Sequence, residues 1–149
     1  MEDGSLKLKN SSPPASLKWT VTTPLKLSED PEKVAKAIKN AVGAEVTIIE
    51  DLGRLIAKGD DAEGLKILYN KIRDKQIVNA ARRRLLENTF ENSTWLYLNK
   101  QAAYAETLNI CDDESESPLG PIQVTIYSKN IESIIDWLAP RKDKKLLFH

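Results

Sequence analysis

The chain has 149 residues, of which 41% are hydrophobic and 30% charged, with 22 basic and 22 acidic side chains and so no formal net charge. That length and composition suit one globular domain that folds without disulfides or metals, and they exclude a disordered chain. Charge balance excludes indiscriminate polyanion binding, so any nucleic-acid contact must come from a local patch.

Residues 1–16 are rich in Ser, Pro, Lys and Asn and read as a mobile tail. Their lack of an apolar stretch argues against a secretory signal. The single folded unit is expected over residues 17–141, followed by a basic tail, 142–149. No run approaches the roughly 18 apolar residues of a membrane span. One cysteine, Cys111, cannot form an internal disulfide, so a reducing, cytoplasmic setting is expected.

The first strand is predicted over Leu17–Leu27, where Trp19, Val21 and Thr23 alternate with Lys18, Thr20 and Thr22. Pro24 should mark an edge or bulge. Asp30 is a helix cap, Pro31 fits the first helical position, and Val34, Ile38, Ala41 and Val42 form one face. Gly43 should end this helix. Two short strands, Glu45–Glu50 and Arg54–Lys58, flank Asp51-Leu52-Gly53, the signature of a hairpin. Two helices follow, Asp61–Lys75 and Gln76–Asn88, separated because the apolar stripe changes phase near Lys75.

Thr94–Asn99 reads as a strand, Lys100–Ala105 as a helical turn and Thr107–Cys111 as a short strand. Asp112–Glu116 is an acidic loop. Ser117-Pro118-Leu119-Gly120 carries the residues preferred by a type I turn. Ile122–Tyr127 alternates as a strand. Asn130 should cap a final helix carrying Ile131, Ile134, Ile135 and Leu138, which Pro140 stops. The resulting class is α+β, a largely antiparallel mixed sheet with amphipathic helices mainly on one face and the other face open.

No constellation for catalysis assembles. The only histidine, His149, is the last residue, and Cys111 has no base near it in sequence. There is no Gly-x-Gly phosphate loop, and the acidic loop lacks the glycine and terminal glutamate of a calcium site. The chain is therefore expected to be no enzyme and to need no cofactor or metal.

The basic signal lies in the paired helices. From Lys66 to Arg84 stand seven cations, Lys66, Lys71, Arg73, Lys75, Arg82, Arg83 and Arg84, against one acid, Asp74. Helical geometry turns Arg83 outward and puts Arg82 and Arg84 on opposite flanks. Trp19, Trp95, Trp137 and Tyr97 could offer base-stacking surfaces, although aromatics in alternating strands and apolar stripes more often pack in cores.

Four strings in order, Asp30-Pro31-Glu32-Lys33-Val34, Leu98-Asn99-Lys100-Gln101-Ala102-Ala103, Ser117-Pro118-Leu119-Gly120-Pro121-Ile122 and Asp136-Trp137-Leu138-Ala139-Pro140-Arg141, resemble an archaeal family of uncharacterised proteins. The resemblance covers about Leu17–Arg141. It implies a fold similar to the ribosomal protein that binds 5S rRNA, and kinship with archaeal proteins predicted to bind RNA or associate with the exosome. The expected function is a non-catalytic RNA-binding module. Its expected contacts are Lys71, Lys75, Arg82, Arg83, Arg84, Asn99, Lys100 and Gln101. The alternative is a protein-interaction or homodimeric assembly module.

Overall fold

The first strand, β1 (Lys18–Pro24), lies in the middle of the sheet. The computed structural model describes residues 12–74 and 77–141. Its elements run β1, α1 (Pro31–Ala41), β2 (Ile48–Asp51), β3 (Arg54–Gly59), α2 (Lys66–Asp74), α3 (Val78–Glu87), β4 (Ser93–Leu98), α4 (Lys100–Tyr104), β5 (Ile110–Cys111), β6 (Ile122–Tyr127) and α5 (Ile131–Leu138). Six strands form one sheet in the order β2-β3-β1-β6-β4-β5. Every pairing is antiparallel, so the fold is an open antiparallel α+β sheet. The Lys75 and Gln76 junction and both chain ends lie outside the described residues.

Period-two burial separates the two faces of the sheet. Val21, Leu55, Ala57, Leu96, Leu98, Ile122, Val124 and Ile126 join the helical residues Ile38, Leu68, Ile72, Leu85, Ile134 and Leu138 in one core. Among the described residues the opposite face carries no α-helix. Trp19 belongs to the core side, beneath Gly59 and Gly64. A Cβ on either glycine would overlap the indole. Its Nε1 donates to the Asp61 carbonyl oxygen at 2.9 Å.

Several boundaries differ from expectation. Pro24 ends β1, which is a central strand; it pairs with Arg54 of β3, while the ladder to β6 stops at Thr22. Beyond it the Leu25 amide donates to the Gly53 carbonyl oxygen. Asp30 caps α1 as predicted, accepting from the Glu32 amide. The helix ends at Gly43 as expected, with Val42 as its C-cap. Gly43 does not take a left-handed backbone; it is small because a Cβ there would run into the Gly64 carbonyl. The β2–β3 hairpin closes through Leu52 (φ 52°) and Gly53 (φ 79°), two positive φ values in succession, as a type I′ turn requires.

Ser117–Gly120 is not a type I turn. Leu119 has φ 66°, the sign that a type II turn takes at its third position, and the Gly120 amide closes the turn on the Ser117 carbonyl oxygen. Asn130 precedes α5 without a side-chain cap. Instead the Ser128 hydroxyl accepts from the Asn130 amide at 3.1 Å.

Candidate nucleic-acid interface

The expected basic patch does not form a common surface. Arg82 donates to Asp136 Oδ1 at 2.7 Å and to the Ala139 carbonyl oxygen at 3.1 Å. Arg84 bonds Glu87 Oε1 at 2.7 Å and the Asp112 carbonyl oxygen at 2.9 Å. Lys71 Nζ donates to the Glu106 carbonyl oxygen at 2.7 Å. Arg73 donates to the carbonyl oxygens of Trp137 (2.6 Å) and Leu138 (3.2 Å), with its guanidinium 3.7 Å from the Tyr69 ring centroid. Burial lowers the pKa of Arg73. Arg73 and Arg82 thus serve the carbonyl-rich end of α5, where cations are favoured. Arg83 is exposed as expected, and Lys75 lies outside the described residues.

The polar string that begins α4 is also structural. Asn99 caps that helix, accepting from the Ala102 amide at 2.8 Å, and its amide nitrogen donates to the Glu116 carbonyl oxygen. Gln101 is exposed and reaches the Pro118 carbonyl oxygen at 3.1 Å.

Lys100 corrects the expectation outright. It is 3% exposed, and its Nζ donates to Pro24 O (2.8 Å), Leu119 O (2.9 Å) and both oxygens of Glu29 (3.1 Å each). Burial holds its pKa below the ordinary lysine value even though Glu29 opposes that shift. A lysine enclosed by four acceptors presents no charge to a phosphate.

The helix-free face offers a more coherent surface. Inverting the core positions puts Lys18, Thr20 and Thr22 of β1 on it, and register adds Arg54, the buried Ile56 and Lys58 of β3. Gln123, Thr125 and Tyr127 of β6 and Ser93, Trp95 and Tyr97 of β4 complete it. Register aligns these residues in rows across the strands. One row is Lys58–Thr20–Thr125–Trp95; a second is Lys18–Tyr127–Ser93; a third is Ile56–Thr22–Gln123–Tyr97–Cys111.

Trp95 and Tyr97 are half-buried neighbours, with ring centroids 4.6 Å apart and planes at 52°. Tyr127 is 44% exposed. At its end of the sheet a groove of about 840 Å³ is bordered by Lys18, Asp60, Asn92, Tyr127, Lys129 and Asn130. Among the described residues Lys18 and Lys58 make no ion pair.

The other flank of the face is acidic. Cys111, 2% exposed, has its thiol pushed up to about 11 by burial and by Glu116, Asp112 and Asp113. Burial, then Glu114 and Asp113, raises the Tyr97 phenol. Asp113 itself is held below the usual carboxylate range by its hydrogen bonds to Ser115. Positive charge therefore lies on the β1–β3 side and negative charge beyond β4.

The sequence named Trp95 and Tyr97 among four aromatics able to stack bases but favoured core packing for them, and it did not single out Lys58, Thr125 or Tyr127. Their signal was the alternation of Thr and Gln with core residues in β1 and β6, which defines a second face. No helix among the described residues is long and apolar enough to cross a membrane.

A family model described as "RNA binding" matches residues 19–128. A UPF0201 protein of Sulfurisphaera tokodaii is 41% identical over 120 residues, 78% of this chain and 83% of that protein. One from Methanothermobacter thermautotrophicus is 38% identical over 123 residues, covering 83% of this chain and 91% of its own. The crystal structure of a UPF0201 protein from Methanococcus jannaschii superposes with a TM-score of 0.69 at 30% identity, covering 84% of this chain and 94% of that one. With the matched region running from β1 through β6, the chain belongs to this archaeal UPF0201 family, whose model carries the description "RNA binding".

Proposed function

We propose that the protein is a non-catalytic, cytoplasmic RNA-binding module whose interface is the helix-free face of the sheet. The observation that carries this reading is the row Lys58–Thr20–Thr125–Trp95, which sets a cation, two hydroxyls and an aromatic ring across adjacent strands. Cations supply salt-sensitive attraction to phosphates, hydroxyls hydrogen-bond to sugar and phosphate oxygens, and aromatic rings stack bases. The description of the family model adds its support. Fold kinship with the ribosomal protein that binds 5S rRNA is part of the same proposal, so a structured ribosomal RNA fragment belongs among the ligands tested.

The test is fluorescence anisotropy against single-stranded RNA, that fragment and duplex DNA over a salt series. The reading expects RNA affinity that falls steeply with salt. It also expects a Lys18→Glu/Lys58→Glu variant to bind more weakly with a shallower salt slope. Equal binding by wild type and variant would move the interface elsewhere. No binding to any of the three ligands would favour a protein-interaction module instead.

A further inference from the structure

We infer that the helix-free face takes unpaired RNA, with bases stacked on Trp95, Tyr97 and Tyr127 and the phosphate chain running along the Lys58–Lys18–Lys129 side. This inference rests on the proposed RNA-binding role and specifies the form of RNA and its orientation.

The aromatic geometry favours single strands. Trp95 and Tyr97 are successive outward residues of β4 with their rings side by side. Tyr127 stands one strand away, opposite Ser93. Rings lying within a sheet face can reach only bases that are not already stacked in a duplex. The face is also broad enough: Lys58 and Trp95 are separated by three strand spacings, roughly 14 Å. Sheets of four strands stack two or three bases on such aromatics.

The electrostatics set the orientation. Lys18 and Lys58 occupy the β1–β3 side, and Lys129 borders the groove beside Tyr127. Beyond β4 the carboxylates of Asp112, Asp113, Glu114 and Glu116 surround the Tyr97–Cys111 edge. A phosphate chain is repelled from that edge and attracted to the lysine side. Bases then project from the lysines toward Trp95. Thr20, Thr125 and Gln123 lie between, where hydroxyl and amide groups meet the ribose. Among the described residues, Asp60 is the carboxylate bordering that groove.

The tryptophans provide a direct readout. Trp19 and Trp137 are 3% and 7% exposed, whereas Trp95 is half-buried on the open face. A base stacking on Trp95 quenches its emission. The probe is an oligoadenylate of roughly ten nucleotides, presented alone, annealed to oligouridylate, and as its deoxy counterpart.

The single-stranded form is expected to bind most tightly and to quench tryptophan emission. Trp95→Phe should keep the affinity and lose most of the quenching. Trp95→Leu, and independently Tyr127→Ala on the more exposed ring, should each weaken binding about ten-fold with unchanged circular dichroism.

Equal or tighter binding of the annealed duplex would overturn the inference while leaving RNA binding intact. Unaltered affinity in both Trp95→Leu and Tyr127→Ala would overturn it too. Equal affinity for oligodeoxyadenylate would overturn the assignment to RNA. Failure of every nucleic acid to bind, including the structured fragment, would remove the underlying reading as well.

Discussion

Lys100 and Glu29 form an ion pair at 3.1 Å with side chains only 4% and 9% exposed. Lys100 begins α4, and Glu29 stands just before α1. The same ammonium also bonds the carbonyl oxygens of Pro24 and Leu119. One side chain therefore ties together the end of β1, the entry to α1 and the turn before β6. Removing one member of a buried pair leaves the other charge without compensation, which costs about 3–5 kcal/mol. Glu29→Ala and Lys100→Met should each lower the unfolding free energy, read from the urea transition, by an amount of that order. The double variant should lose much less than the sum of the two.

Arg73 predicts a separable effect. Its guanidinium joins α2 to the end of α5 and lies over Tyr69, which in turn packs on Trp137 with centroids 4.7 Å apart. Lysine keeps the charge but loses the planar fork. Arg73→Lys should therefore destabilise the protein by about 1–3 kcal/mol in chemical denaturation. Its RNA affinity, measured where the protein remains folded, should match that of the wild type.

Cys111 gives a pH prediction. Burial and the neighbouring carboxylates raise its thiol from the ordinary 9.0 to about 11 in the folded protein. Between these values the unfolded chain has released the proton and the folded chain has kept it. Stability from this group is thus fully present below pH 9.0 and is lost as pH rises toward about 11. Cys111→Ala should flatten the fall in stability over that window. In native protein at neutral pH the thiol should react with a disulfide reagent far more slowly than in denaturant.

Trp19 predicts intolerance at two glycines. A methyl group on Gly59 or Gly64 would overlap its indole, and the hydrogen bond from Nε1 to Asp61 restrains the ring. Gly59→Ala and Gly64→Ala should each destabilise by about 1–3 kcal/mol, the usual cost of overpacking, read as a drop in thermal midpoint. Gly53→Ala meets no such contact. Its cost should come from its positive φ alone and be smaller.

Local chemistry was legible wherever neighbours in sequence decide the structure. Asp30-Pro31 fixed the start of α1, the period-two pattern fixed β6 to the residue, and a hairpin was evident at Asp51-Leu52-Gly53. The fate of long cationic side chains was not legible, because their acceptors are distant in sequence. Arg73 reaches Trp137 and Leu138, Arg82 reaches Asp136, and Lys100 reaches Glu29. A dense run of arginines reads as a phosphate patch until the tertiary fold supplies those partners. Gly43 ends α1 as expected, but the further constraint on it, the approach of Gly64, comes from a residue distant in sequence and was not legible. An open sheet face could be anticipated from the antiparallel order, but which residues it gathers depended on register between β1, β3, β6 and β4.

The central position of β1 also governs how the chain can be made. Val21 pairs with Ala57 on one side and with Val124 on the other. During synthesis from the N-terminus, β1, β2 and β3 can associate early. The second edge of β1 then stays unsatisfied until β6 leaves the ribosome. Contacts this distant in sequence slow folding, and an exposed strand edge in a nascent chain invites pairing with other chains. The insertion of β6 is thus the event that closes the sheet and ends the interval of greatest risk of aggregation.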